Sequence, residues 1–149
     1  MLIGLPISAL GLVLRGWATG HLAKDQRLAT TGPYAYLRNP LYAGTLIIAL
    51  GMVLAARSPW LAAISAASFA LVYFPAIELE EQHLSEIFPQ YADYAKRVHR
   101  FVPLRSWKGS RVRFSWTLYR GNEEYKALIG FVFAIAWLFW KISAAKVAR

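Results

Sequence analysis

The sequence predicts an all-α integral membrane bundle of about four transmembrane helices. Of its 149 residues, 57% are aliphatic, aromatic or sulfur-containing and only 17% are charged, and the mean hydropathy is +0.35. A soluble domain is less apolar. Disorder is excluded by the six Trp, eight Tyr and eight Phe. Four apolar stretches approach the roughly 20 residues that a helix needs to cross the hydrocarbon core: residues 2–14, 41–56, 60–77 and 127–140.

The first stretch is short, and we expect its helix to continue through Arg15 to His21. Two interpretations of Arg15 stay open. Its long side chain can reach back to the interface, or it is a buried cation that faces an anionic substrate group or a glutamate across the bundle.

The second and third stretches are predicted to form an antiparallel hairpin. Arg57, Ser58 and Pro59 separate them; a residue before proline avoids helix, and proline itself suits the first helical turn. Residues before position 41 and after position 77 must then lie on the same side of the membrane, although they are far apart in sequence.

Charge counts place that side in the cytoplasm. The connection 15–38 has four basic residues and the connection 78–126 has nine, and the positive-inside rule counts these residues. Basic residues at positions 141, 146 and 149 leave the last stretch open between a span and a peripheral or re-entrant helix. The net charge of +9 would suggest nucleic acid in a soluble chain, but in a membrane chain it favours anionic lipid headgroups.

A polar, turn-rich segment leads into the second stretch. We expect Asn39 to cap the free amides of the helix and Pro40 to occupy its first position. Tyr42 then lies above Asn39 on one face, and Gly44 allows another group to approach the backbone closely. The structural alternative is an ordinary capped helix with interfacial tyrosines.

Three carboxylates, those of Glu78, Glu80 and Glu81, follow the third stretch directly. Acids at a membrane edge are costly and are therefore functional candidates, although they could simply end the span in water. The hairpin brings Glu80 and Glu81 to the same membrane face as the helix start at residue 39, which favours a shared site.

A metal site is not predicted. Glu80 and His83 have the E-x-x-H spacing of di-iron bundles, but the second pair that such a site needs is missing. There is no cysteine to provide thiolate ligands. Residues 107–126 combine Arg111, Arg113 and Arg120 with Phe114, Trp116 and Tyr119, which is typical of a basic aromatic strap on the membrane surface rather than of a nucleic-acid-binding module.

Together, the two polar motifs resemble the isoprenylcysteine carboxyl methyltransferases and the related phospholipid methyltransferases. The family pattern R-H-P-x-Y-x-G is matched by residues 38–44, and its later E-E-x-x-L pattern is matched by residues 80–84, followed by Phe88, Tyr91 and Tyr94. The resemblance covers residues 11–103. We therefore expect one methyltransferase-like domain over residues 1–149, with the strap and a C-terminal apolar helix in residues 104–149.

The resemblance implies a pocket for S-adenosylmethionine that faces the cytoplasm. It assigns catalytic parts to Arg15, which would orient an anionic acceptor, and to Glu81, which with Glu80 would hold the positive groups of the cofactor. The implied cofactor-binding residues are Tyr34, Arg38, Asn39, Pro40, Tyr42, Gly44, Glu80 and Glu81.

The expected reaction is methyl transfer to a lipophilic acceptor, either a prenylcysteine-like carboxylate or a lipid, at the cytoplasmic side of a prokaryotic inner membrane. Asn39 stands where the family has histidine, so a general base is not expected there. Methyl transfer from a sulfonium needs positioning and desolvation more than acid–base groups. The alternatives are an NADPH-dependent enzyme like the sterol reductases, which have glutamate where this chain has Thr45, and a non-catalytic membrane scaffold.

Overall fold

The computed structural model describes residues 3–108 and 112–147, and its regular structure is helical. Leu2, Arg111 and Arg149 of the predicted segments lie outside these residues. In chain order the elements are α1 (Gly4–Thr19), a 3-10 helix (Gly32–Ala35), α2 (Pro40–Ala56), α3 (Pro59–Ser68), a π turn (Phe69–Tyr73), α4 (Phe74–Ile87), α5 (Tyr91–Arg97), α6 (Trp116–Gly121) and α7 (Tyr125–Val147). The all-α class is confirmed.

Helices α1 and α2 pack through small residues that let the two backbones approach closely. A Cβ atom built on Gly11 would lie 2.6 Å from the carbonyl oxygen of Gly44 and 2.8 Å from the amide nitrogen of Ile48. One turn earlier, the Ser8 hydroxyl donates a hydrogen bond of 2.9 Å to the carbonyl oxygen of Ile48. This contact fixes α1, including Arg15, against the N-terminal half of α2.

The predicted turn joins α2 and α3. Arg57 ends α2 in the left-handed region, with φ of 49°, and Pro59 begins α3. The Ser58 hydroxyl caps α3 by accepting from the amide of Leu61 at 3.3 Å. The start of α2 and the glutamates of α4 come together at the far end of this hairpin.

Helix α3, the π turn and α4 form one continuous helix, Pro59–Ile87. The π turn ends two residues before Pro75, which has no amide hydrogen to donate to the preceding turn. The helix also continues beyond Ile77, where the apolar stretch ends. Glu78, Glu80 and Glu81 therefore lie within a helix rather than in a loop at its end.

This long helix has 29 residues, and only 6% of its most apolar window is buried. A core helix of a soluble protein would be mostly buried, so the exposure and apolar length indicate a membrane protein. Helix α2 (Pro40–Ala56) and the part Tyr125–Trp137 of α7 are also apolar but shorter. By length and composition, Pro59–Ile87 alone is able to cross a membrane among the described residues, and the set of four spans stays a prediction.

The chain after α4 folds back against the hairpin. Tyr91, Tyr94 and Val98 form a buried cluster that packs against Leu84 and other partly buried side chains. Beyond α5, residues 37 and 99 form a parallel β-bridge. The segment that follows α5 is therefore attached to the loop that leads into α2.

We predict that Gly11→Ala destabilises the protein by about 1–3 kcal/mol, because the new methyl group overlaps backbone atoms of α2 that cannot move independently. The measurement is the thermal unfolding midpoint in detergent. Gly130→Ala in α7 is the matched control, since a Cβ atom there meets nothing within 4 Å, and alanine is the better helix former. Equal unfolding midpoints for the two variants would contradict the close packing of α1 and α2.

Candidate functional site

Glu81 is the centre of the site, and the residue is only 7% exposed. The side-chain amide of Asn39 donates to Oε1 at 2.8 Å, and Nη1 of Arg38 donates to Oε2 at 3.2 Å. From the segment after α5, Nη2 of Arg100 also donates to Oε2, at 2.9 Å. A buried carboxylate needs such donors, because an unpaired charge there would be costly.

The prediction that Asn39 caps α2 is wrong. Its side chain makes no capping hydrogen bond, because the amide is directed to the Glu81 carboxylate, which is a charged and therefore stronger acceptor. Pro40 occupies the first turn as expected. Asn39 thus joins the start of α2 to α4 instead of stabilising α2 alone.

Arg100 is a site residue that the sequence reasoning missed. Backbone hydrogen bonds from Arg38 to the carbonyl of His99, at 2.9 Å, and from Asn39 to the carbonyl of Arg100, at 3.3 Å, hold it in place. It also pairs with Glu78 at 2.9 Å, and its hydrogen bond with Glu81 raises the pKa of the Arg100 guanidinium. The three adjacent acids in the sequence were the available signal, because they require cations from elsewhere in the chain.

Glu80 faces a different environment from its neighbour. The Tyr42 hydroxyl donates to Glu80 Oε2 at 2.8 Å, so the predicted meeting of the two motifs is present in the structure. Glu80 borders two cavities, an enclosed one of about 70 Å³ and a more open one of about 310 Å³. Leu22 and Lys24 also line both.

Three tyrosines and Arg38 line the enclosed cavity. The Tyr94 hydroxyl donates to the backbone carbonyl of Tyr34 at 2.7 Å. By contrast, two buried polar atoms, Arg38 Nε and the Tyr91 hydroxyl, have no hydrogen-bond partner within the described ranges. Both atoms belong to residues that line the enclosed cavity, and the Arg38 side chain lies close enough to the Tyr91 hydroxyl to affect its pKa.

Burial raises the pKa of these tyrosine hydroxyls and so favours their protonated form. It is the largest cause that raises the pKa of Tyr34, Tyr91 and Tyr94 above the ordinary value of 10.0, and for Tyr91 the nearby Glu81 carboxylate adds to the effect. Each hydroxyl is therefore a hydrogen-bond donor at neutral pH rather than a base.

Arg15 is placed away from the double glutamate. Its guanidinium pairs with Glu124, at the start of α7, with Nε 2.6 Å from Oε1, and Nη1 donates to the Thr45 hydroxyl at 2.5 Å. Gly44 makes room for this side chain, since a Cβ atom there would lie 2.5 Å from Arg15 Cγ. Arg15 thus faces a glutamate across the bundle, as one of its two interpretations expects, but its side chain is only partly buried and the glutamate is one that the sequence did not single out.

His83 is not paired with Glu80. It lies 3.4 Å from the carboxylate of Asp25, and both side chains are exposed. In the part of the chain that the structure describes, no three His, Cys, Asp or Glu side chains are grouped so that they could hold a metal ion.

The sequence model of the phospholipid methyltransferase family matches residues 5–91, which include both motifs and the helices that carry them. The chain belongs to this family. Membership supports a membrane methyltransferase, and it confirms the family resemblance of the two motifs. No solved structure matches the chain.

Curated relatives fall into two groups. The cobalt-zinc-cadmium resistance protein CzcN of Cupriavidus metallidurans is 32% identical over 83% of this chain and 52% of its own length. The nickel-cobalt-cadmium resistance protein NccN of Alcaligenes xylosoxydans xylosoxydans is 36% identical over 87% of this chain and 55% of its own. The third, from Oryza sativa subsp. indica, has the name "Probable protein-S-isoprenylcysteine O-methyltransferase" and is 33% identical over 69% of this chain and 57% of its own. The chain thus spans about half the length of these relatives.

We predict that Glu81→Gln lowers the free energy of unfolding by about 3 kcal/mol, because the variant leaves Arg38 without its counter-charge and Arg100 with Glu78 alone. Denaturant unfolding in detergent measures this. Glu86→Gln is the control, because Glu86 lies five residues further along α4 and is exposed. This variant should change stability by less than about 0.5 kcal/mol. Similar stabilities of the two variants would show that Glu81 does not hold the site together.

Proposed function

We propose that the protein transfers a methyl group from S-adenosylmethionine to a lipophilic acceptor that arrives from the bilayer. The site lies where the start of α2 meets α4, and we place it on the cytoplasmic side of a prokaryotic inner membrane, with α1, α2, α3 to α4 and α7 as the four membrane helices. The observation that carries the proposal is the position of Glu80, a carboxylate that borders both cavities at the junction of the two family motifs.

The residues around the cavities suit such a cofactor. Its sulfonium and ammonium groups need a negative partner, which Glu80 provides, and its carboxylate and hydroxyl oxygens need donors, which Arg38 and Tyr91 provide as residues that line the enclosed cavity. Ligand pockets usually measure about 300–1,000 Å³. The enclosed cavity is smaller than this, but the adjoining one of about 310 Å³ meets it at Glu80 and supplies the volume.

When bound, the cofactor supplies an electrophilic methyl group whose leaving group is a neutral thioether. The chain has to orient the reactants and exclude water from them. Tyr42 fixes the orientation of Glu80 through its hydrogen bond. Asn39 retains its proton throughout, since an amide is not a base at neutral pH.

Glu81 acts in this scheme by positioning other residues. Its two oxygens are bound by Asn39, Arg38 and Arg100, so we propose that it holds the binding residues in place rather than contacting the methyl group. Arg15 also lines the open cavity and is proposed to orient the acceptor.

We predict that Glu80→Gln weakens binding of S-adenosylhomocysteine and S-adenosylmethionine, with a larger loss for S-adenosylmethionine because it alone has the sulfonium charge. We expect the affinity for S-adenosylmethionine to fall at least tenfold, which corresponds to a loss of about 1.4 kcal/mol of binding free energy. Calorimetry on detergent-purified protein measures both ligands, and Glu86→Gln is the matched control.

Binding by the parent protein that is unchanged in Glu80→Gln would remove Glu80 from the site. A folded parent protein that binds neither ligand would overturn the methyltransferase proposal. Binding of NADPH in its place would then favour the reductase alternative, and absence of binding to all three would favour the scaffold.

A further inference from the structure

The ion pair between Arg15 and Glu124 is two-pronged. Arg15 Nε lies 2.6 Å from Glu124 Oε1, and Nη2 lies 3.0 Å from Oε2. The remaining nitrogen, Nη1, donates to Thr45 at 2.5 Å. The Arg15 side chain is 23% exposed and that of Glu124 only 9%. The edge of the guanidinium formed by Nε and Nη2, which can bind a carboxylate through two hydrogen bonds, is therefore already occupied by Glu124.

Three cavities meet at this pair. An apolar cavity of about 530 Å³ between α1, α6 and the start of α7 is bordered by Glu124. A second apolar cavity, of about 290 Å³, lies along α1, α2 and α7 and is bordered by Arg15. Both residues border the open cavity of about 310 Å³ that contains Glu80 and Tyr42. The ion pair therefore lies between the two apolar cavities and the open cavity that adjoins the proposed cofactor site.

The segment that holds Glu124 is short and strained. Only residues 122–124 connect α6 to α7, and Glu123 has a φ of 55°, in the left-handed region that costs a non-glycine residue energy. Glu124 is therefore held at Arg15 by a short connection rather than by a regular helix.

We propose that Glu124 competes with carboxylate acceptors for Arg15, because it occupies the anion site that Arg15 would offer to the acceptor. This inference rests on the proposed function, which makes these cavities the acceptor side of the site. An amphiphile with a carboxylate head displaces Glu124 from Arg15 and places its tail in an apolar cavity. One carboxylate then replaces another on the same guanidinium, so the number of charge-assisted hydrogen bonds is kept.

A neutral head group cannot make this exchange. An alcohol would leave Arg15 without a counter-charge if it displaced Glu124, and leaving a partly buried charge unpaired is unfavourable. A neutral amphiphile therefore binds through its tail alone and leaves the ion pair in place, whereas a carboxylate has to compete with Glu124, which lowers its affinity.

The test measures binding of dodecanoate and of dodecanol to the full chain in discs of zwitterionic lipid. Glu124→Gln keeps the size of the side chain and removes the competing charge, so dodecanoate should bind at least tenfold more tightly than to the parent, while dodecanol binding changes less than twofold. Glu123→Gln is the matched control, because Glu123 is exposed and pairs with Lys126 instead. It should leave both affinities unchanged.

The double variant Arg15→Gln with Glu124→Gln should lose the gain for dodecanoate. Glu124→Asp, which keeps the charge but withdraws it from Arg15, should give an intermediate gain and provides the test if Glu124→Gln does not fold. The proposal is overturned by an equal gain for dodecanol, by no gain, by a larger gain for dodecyl phosphate than for dodecanoate, or by a gain that survives loss of Arg15.

Binding of S-adenosylhomocysteine in the same samples separates the two proposals. If the parent protein does not bind it but the dodecanoate gain is present, the proposed function fails and the anion site stands. If it binds and the gain is absent, the inference about Glu124 fails alone.

Discussion

The buried carboxylate of Glu81 is the constraint on which the site depends. A charge in this environment is stable only with several donors, and its donors come from the loop before α2, through Arg38 and Asn39, and from the segment after α5, through Arg100. These segments are far apart in sequence. Satisfying one carboxylate therefore brings together the helix start, the glutamate-bearing helix and the returning chain, and the enclosed cavity is the space that remains between them.

Adjacent acids consequently have different parts. Glu81 is directed inward and is saturated with hydrogen bonds, whereas Glu80 is directed to the cavities and is held by Tyr42. On the other side, the close packing of Gly11 and Gly44 brings Arg15 beside α2, where Thr45 and Glu124 bind its guanidinium. The site thus has a cofactor side that depends on long-range charge pairing and an acceptor side that depends on the near contact of two helices.

The sequence predicted those features that have local causes. Apolar runs predicted the helices, the residues 57–59 predicted the turn of the hairpin, and the hairpin in turn predicted that Tyr42 and Glu80 lie close together. Arg100 and Glu124 were missed because an ion pair between distant residues leaves no periodic signal, and many cations were available to pair with the acids. The capping role of Asn39 was wrong for the same reason, since the competing acceptor is 42 positions away.

The π turn at Phe69–Tyr73 divides the long helix into α3 and α4, which differ in helical register by a fixed angle. Each residue of an α-helix turns the chain by about 100°, so the extra residue of a π turn rotates α4 relative to α3 by about that angle compared with an uninterrupted α-helix. With regular geometry throughout and α3 in its present place, Glu81 could not be directed at Asn39. The π turn therefore lets one continuous helix direct the apolar face of α3 and the acids of α4 in a combination of directions that a regular helix of the same sequence would not give.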